Sequence, residues 1–228
     1  MKHLIVANWK MNPFVIKEAE KVAKAVEMAN SNKNEVVICP PFLFLEKLGK
    51  IIKKTKLGAQ NCFWEKEGAF TGEISPRQLK NLGVRYVIIG HSERRKMGES
   101  DEIIIKKVAT AKQEGLSIIL CVGENEEEKR ANKTKAVIET QLKKIKEEVI
   151  VAYEPIWAIG TGQSCHYSEA EKIRIFIKEM RGSTSLILYG GSVNSKNAGD
   201  YLKKAKFSGL LIGGVSLNLK EFQKIINN

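Results

Sequence analysis

Hydrophobic residues along the chain fall into two alternating textures. Short, nearly uninterrupted apolar runs recur at "HLIVAN" (3–8), "EVVICP" (35–40), "KLGAQN" (56–61), "RYVIIG" (85–90), "LSIILCVG" (116–123), "EVIVAYE" (148–154), "SLILYGG" (185–191) and "SGLLIGG" (208–214). Runs of this kind predict strands covered on both faces. Between them the apolar positions space out at helical intervals. Val15, Ala19, Val22, Ala23 and Val26 make one stripe within 14–29, and Ile104, Ile105, Val108 and Ala111 another within 101–114. Val137, Ile138, Gln141, Leu142 and Ile145 repeat the pattern within 134–146, each stripe being one face of a helix. Helix-start signals stand at Ser100-Asp101-Glu102, Ser168-Glu169 and Asn194-Ser195.

Eight strands alternating with helices predict an α/β chain with a parallel sheet and crossover helices. Eight units suit a closed (β/α)8 barrel, although 228 residues is short beside the roughly 250 typical of that architecture. An open doubly wound sheet is the alternative. It would place a glycine-rich turn after the first strand, where this chain has "ANWKMNP". No linker or low-complexity tract interrupts the pattern, so one domain over 1–228 is expected.

Composition narrows the class. A hydrophobic content of 43% with 28% charged residues describes an ordinary globular protein. No apolar run approaches the ~20 residues of a membrane span. The N-terminal run is too short for a secretory signal, and a cytosolic location follows. Cys39, Cys62, Cys121 and Cys165 lie far apart without metal or disulfide spacing, as free thiols in a reducing compartment would. The net charge of +12 fits either a nucleic-acid partner or an anionic small molecule. Acids interleave with the lysines in "KEAEKVAKAVE", "KKIKEE" and "EAEKIRIFIKE", as on solvated helix faces. No nucleic acid and no membrane partner is expected.

In a parallel barrel the C-terminal strand ends form the active face. They carry Asn8 and Lys10, Gln60 and Asn61, Gly90 to Glu93, Cys121 to Glu124, Glu154, Gly190 to Ser192, and Gly213-Gly214. A carboxylate at this rim, Glu154, is either a desolvated base or a rim acid paired with a lysine. His91 before "SERR" is either a neutral hydrogen-bond donor at a helix start or a core histidine satisfied by backbone. On an extended strand end Asn8 and Lys10 point to the same side. Lys10 there supplies positive charge where negative charge develops, or it is one surface lysine among many. "YGGSV" and "IGGVSL" let backbone N–H groups approach an anion. After Glu154, "PIWAIGTG" has the composition of a lid that would expel water around a base; a merely structural loop is the other reading.

Together these pieces resemble triosephosphate isomerases. The matching segments are "ANWKMN" (7–12), "GAQNCF" (58–63), "GAFTGEIS" (68–75), "IIGHSERR" (88–95), "GESDE" (98–102), "CVGE" (121–124), "AYEPIWAIGTG" (152–162), "YGGSVN" (189–194) and "IGGVSL" (212–217). They cover essentially the whole chain in the family's order. The resemblance implies a TIM barrel with shortened outer helices that interconverts dihydroxyacetone phosphate and glyceraldehyde 3-phosphate, with no metal or organic cofactor. It makes Glu154 the base, His91 the neutral electrophile, Lys10 the cation and Asn8 a substrate contact, with Glu93 beside the catalytic group. Gly160, Ser192, Gly213 and Gly214 correspond to the phosphate grip, and Tyr189 and Ser192 to the lid's latches. The lid comprises Pro155, Ile156, Trp157, Ala158, Ile159, Gly160, Thr161, Gly162, Gln163, Ser164 and Cys165. The loop with Phe63, Trp64, Phe70 and Thr71 corresponds to one that reaches into a second subunit, which implies a homodimer. Those three aromatic rings are expected to be exposed until the partner covers them.

The chain also departs from the family pattern. It is shorter, with the losses in outer helices. The lid's second hinge is Gln163-Ser164-Cys165, whose thiol would be oxidisable if exposed. The arginine expected after "CVGE" is replaced by Lys129 or displaced to Arg130. "RRKMGES" is one residue short and lacks an aromatic, and Ser208 stands where an acid is common.

Overall fold

A computed structural model describes every residue except Met1 and Thr161. Eight strands form a closed parallel barrel in sequence order, β1 to β8, with β8 returning to pair with β1. They are β1 (Leu4–Asn8), β2 (Glu35–Cys39), β3 (Lys56–Ala59), β4 (Tyr86–Ile89), β5 (Ser117–Val122), β6 (Ile150–Tyr153), β7 (Ile187–Tyr189) and β8 (Gly209–Ile212). Every expected strand is present, and the doubly wound alternative is excluded. Strand β1 includes Asn8, while β6 stops one residue before Glu154.

Among the described residues the α-helices are α1 (Ile16–Ala29), α2 (Leu45–Ile51), α3 (Pro76–Asn81), α4 (Ser92–Lys96), α5 (Asp101–Gln113), α6 (Glu126–Arg130), α7 (Thr134–Leu142), α8 (Tyr167–Arg181) and α9 (Leu219–Ile226). Ser100 caps α5 as expected, accepting from the N–H of Ile103. Helix α7 ends at Leu142 rather than 146, so the crossover from β5 to β6 is short. Two start signals fall elsewhere. The cap of α8 is His166, two residues ahead of Ser168. Asn194-Ser195 opens no α-helix: the Asn194 side chain closes a local turn onto the N–H groups of Lys196 and Asn197, followed by a short π-helical stretch, Asp200–Lys204. Asparagine favours such turns because its side chain mimics a backbone carbonyl. No helix among the described residues is long and apolar enough to cross a membrane.

The core has two layers. Residues such as Ile5, Ala7, Ile38, Val87, Ile89, Leu120 and Val151 face the helices. The alternate positions fill the barrel interior: Leu4, Val6, Val37, Cys39, Ile88, Ile119, Cys121, Ala152, Leu188 and Leu211. Side chains alternate along a strand, so the next inward position after each apolar file is fixed. It is Asn8 after Val6, Gly123 after Cys121, Glu154 after Ala152, Gly190 after Leu188 and Gly213 after Leu211. The pleat therefore sets the floor of the site at the C-terminal mouth.

Candidate active site

A cavity of about 290 Å³ opens at that mouth, lined among others by Asn8, Lys10, His91, Glu154, Gly160, Ser192, Gly213 and Gly214. Glu154 is 2% exposed. Its backbone N–H donates to Val122 at 2.7 Å, and Gly190 N–H donates to Tyr153 at 2.8 Å, so glycines flank it on both strands. Both are required. A Cβ at Gly123 would lie 1.8 Å from the Glu154 carbonyl oxygen, and one at Gly190 would lie 2.7 Å from Glu154 Cγ. Oε1 lies 3.3 Å from His91 Nε2, and Oε2 accepts from the Ser92 N–H at 3.4 Å. No lysine pairs with this carboxylate among the described residues.

His91 is 6% exposed and forms the N-cap of α4. The N–H of Glu93 donates to Nδ1 at 3.2 Å. A ring nitrogen that accepts carries the lone pair, so the proton sits on Nε2, which faces Glu154 and the cavity. Nε2 is therefore the ring nitrogen left to donate toward the cavity. Strand β4 also brings Gly90, with φ 72, whose carbonyl accepts from Arg95 Nε at 2.9 Å. That contact fixes the turn carrying the histidine.

Lys10 is not on an extended strand end as expected. Strand β1 stops at Asn8, and Lys10 has φ 54, in the left-handed region. Asn8 Oδ1 accepts the Lys10 N–H at 3.1 Å, and Gln60 Nε2 donates to the Lys10 carbonyl at 2.7 Å. These contacts hold a strained backbone that delivers the ammonium to the cavity wall. Its Nζ lies 2.5 Å from Glu93 Oε1. Burial pushes the Glu93 carboxyl up, but the Lys10 ammonium that donates to it, with Lys96 beyond, holds it below the ordinary carboxylate value.

The segment from Pro155 to Cys165 covers one side, with Thr161 outside the described residues. Its 3-10 turn, Ile156–Ala158, docks outward: the Ile156 N–H donates to the Glu124 carbonyl at 2.9 Å and Trp157 Nε1 donates to Glu124 Oε1 at 2.9 Å. Gly160 and Gly162 have φ 72 and 75, and both line the cavity with Ile159. Ser192 Oγ donates to the Ala158 carbonyl at 2.6 Å. At the far hinge the Cys165 N–H donates to the Tyr189 hydroxyl at 3.1 Å. Gln163 and Ser164 are exposed, whereas Cys165 is only 4% exposed, and burial pushes its thiol up to about 11. The condition for an oxidisable hinge cysteine is not met.

The 62–75 loop corrects one expectation. Phe63 is 8% exposed, not a bare ring. Its ring packs at a tilt against Trp64 at 4.0 Å and Phe70 at 4.9 Å between centroids, and its N–H donates to the Ile74 carbonyl. The loop thus buries its own first aromatic, leaving Phe70 42% exposed and Thr71 at the surface. Neither cavity at the site is lined by these four residues. Among the described residues no three His, Cys, Asp or Glu side chains gather where they could share a metal ion.

One contributor escaped the sequence reading: Arg95, gripping Gly90, pairs with Asp101 at 2.6 Å. Lys129, where the resemblance expects an arginine, stands over Trp157, a contact that spacing does not signal because the tryptophan arrives from another loop.

The fold and this cavity place the chain among the (β/α)8-barrel enzymes, whose chemistry sits at the C-terminal strand ends. Triosephosphate isomerase is the family whose model matches, over residues 3–228. The chain belongs to that family. It is 46% identical to the triosephosphate isomerase of Aquifex aeolicus (strain VF5), across 99% of each chain. It is 43% identical to that of Dictyoglomus thermophilum, across 100% of this chain and 99% of the relative. The Aquifex alignment needs 248 positions to cover 99% of a 228-residue chain, so that relative carries extra residues within it.

Proposed function

We propose that this chain, acting as one domain, is a working triosephosphate isomerase that interconverts dihydroxyacetone phosphate and D-glyceraldehyde 3-phosphate, a step of glycolysis and gluconeogenesis. One observation carries this reading: Glu154 Oε1 and the protonated Nε2 of His91 lie 3.3 Å apart at one end of a cavity whose other end is rich in glycine. In this reading the carboxylate removes a proton from the carbon beside the carbonyl, and His91 Nε2–H donates to the carbonyl oxygen. The enediolate forms between them, with Lys10 offsetting its charge. Glu154 then returns the proton to the neighbouring carbon, while His91 Nε2 gives its proton to the former carbonyl oxygen and takes the one leaving the neighbouring hydroxyl, so nothing is gained or lost overall. Pairing a glutamate base with a neutral histidine is the established chemistry of triosephosphate isomerases. Gly160, Ser192, Gly213 and Gly214 grip the phosphate, and Pro155–Cys165 is the lid that excludes water.

Turnover of glyceraldehyde 3-phosphate by the purified protein tests this beside Glu154→Gln. Both carboxylate oxygens face donors, His91 Nε2 and the Ser92 N–H. The amide therefore sets its NH2 against one of them and has no strong base to offer. We expect kcat to fall at least ~10³-fold with KM within a few-fold. A variant as fast as the wild type would remove Glu154 from its role.

The reading includes a homodimer in the cytoplasm. Met11 (92% exposed), Phe14 (94%) and Met97 (70%) are large apolar side chains in water. Met11 and Met97 rim a second cavity of about 200 Å³ beside Lys10 and His91. A neighbour's loop carrying Thr71 would fill that socket and cover the patch.

A further inference from the structure

The lid is anchored from outside by a residue that does not line the substrate cavity. Trp157 is half-buried, and two directed contacts fix its ring. Nε1–H donates to Glu124, and the Lys129 ammonium stands over the ring face, 3.1 Å from its centroid. The ring packs against the core on one side only. A cavity of about 420 Å³ opens beside it, lined among others by Lys129, Thr134, Trp157, Cys165 and Ile173. A ring with free volume on one side is placed by its directed contacts. Arg130, the other cation of α6, is turned away onto Glu126, so Lys129 alone takes this position on that helix.

Glu124 is the fixed half of the clamp. It is 1% exposed, and Tyr153 Oη lies 3.2 Å from each of its oxygens. Burial pushes its carboxyl up, while Trp157, Tyr153 and Lys129 pull the other way. Lys129 thus touches both the ring and the field of the group that holds the ring.

We propose that Lys129 is a positioning residue for the isomerisation, clamping Trp157 and so holding Ile159 and Gly160 over the substrate cavity. The link is short. Trp157 lies in the turn Ile156–Ala158, the Ala158 carbonyl is held by Ser192, and Ile159 and Gly160 follow directly. The catalytic half of this proposal rests on the isomerase reading. A cation–π contact at the edge of solvent shifts the held-against-released ratio of the ring about two- to fivefold.

The test uses the full chain labelled with 5-fluorotryptophan. Its three tryptophans give three resonances, and Trp157→Phe assigns the relevant one. Lys129→Met keeps the stem and removes the charge; Lys129→Arg keeps a cation. We expect Lys129→Met to broaden the Trp157 resonance, as the ring gains a second position, and to leave those of Trp9 and Trp64 sharp. KM for glyceraldehyde 3-phosphate should rise about two- to fivefold, with kcat within twofold, and Lys129→Arg should restore both. A sharp Trp157 line with unchanged KM in Lys129→Met would overturn the proposal, and so would an arginine variant that behaves like the methionine one. The resonance reads the clamp without turnover. A wild-type protein that fails to isomerise while the variant still broadens the line would therefore sink the isomerase reading and leave the clamp.

Discussion

Replacing Gly190 with alanine should disable the site through one methyl group. Gly190 follows β7 and sits beside Glu154. The new Cβ would lie 2.7 Å from Glu154 Cγ and 3.5 Å from its Oε1. Carbon atoms settle about 3.5–4.0 Å apart, so the pair must separate by roughly 1 Å. The Glu154 backbone has little room to retreat, because its N–H is held on Val122 at 2.7 Å and the preceding carbonyl, of Tyr153, accepts from Gly190 at 2.8 Å. The side chain moves instead, and its carboxylate leaves its place 3.3 Å from His91 Nε2. A misplacement of about 1 Å costs about 10²-fold in rate, or about 2.7 kcal/mol of transition-state stabilisation. The overpacking itself costs about 1–3 kcal/mol of stability. We expect kcat for glyceraldehyde 3-phosphate to drop ~10²-fold with KM within about threefold, read by steady-state kinetics beside a thermal melt. Gly199→Ala is the control. Its backbone is helical (φ −62, ψ −32), and the nearest atom to its Cβ is 3.5 Å away, so activity should hold and stability should rise by at most ~1 kcal/mol. A Gly190→Ala enzyme with kcat within threefold of wild type would refute the claim that this close approach sets the position of the base.

Two further outcomes follow from other parts of the molecule. Glu27 accepts the N–H groups of Lys53 (2.9 Å), Lys54 (2.7 Å) and Thr55 (2.9 Å); burial pushes its carboxyl up, but these bonds prevail and hold it below the ordinary value. A folded value below the unfolded one contributes stability in full above about pH 4.3 and loses it as pH falls through the folded value. Glu27→Gln should therefore cost about 1–2 kcal/mol at pH 7 and much less near pH 3, and urea melts showing equal losses at both would contradict this. Phe70→Asp puts a charge on the exposed ring of the 62–75 loop and should turn a dimer into a monomer at micromolar concentration in sedimentation equilibrium; a wild-type protein already monomeric there would end the dimer reading.

The barrel was legible because both of its periodicities are. Strand interiors such as "VVIC" and "IILC" are apolar at every position, since β2 and β5 are buried on both faces. The helix stripe in α5 matches its buried face, Ile104, Val108 and Ala111. Asn8, Lys10, His91 and Glu154 were legible as strand-end residues, and the structure brings them to one cavity. What sequence could not give was decided by side chains meeting across loops. Lys107 is 2% exposed because Asn61 and Glu99 satisfy its ammonium from two other loops; its spacing from Ile104 and Ala111 puts it on the buried stripe, but nothing in α5 names the partners that let a lysine stay there. The start of α8 moved to His166 because that imidazole accepts the Ser168 N–H, a bond as useful to a helix end as a serine's but without its sequence signature.

The strained backbone at Lys10 shows how the fold supports its own site. A non-glycine residue at φ 54 costs on the order of 1–2 kcal/mol, and a glycine there would remove that cost. It would also remove the ammonium, so the strain is kept for the side chain. The restraint comes from atoms that packing places anyway. Asn8 is the inward position that follows Leu4 and Val6, and its Oδ1 meets the Lys10 N–H. Gln60 follows β3, and its amide spans the Lys10 and Cys39 carbonyls at 2.7 and 2.8 Å. Three neighbouring strands thus over-determine one left-handed residue. The same logic holds at Glu154, where glycines on both neighbouring strands leave a slot that only one carboxylate position fills. The barrel wall is exchangeable apolar filling, but the residue after each file is not, since its place is set by the pleat and its conformation by the strands on either side. That is why chemistry can sit at the mouth of a barrel built from a short chain: the inward files and the residues that end them are set by the strands and their neighbours, not by the outer helices.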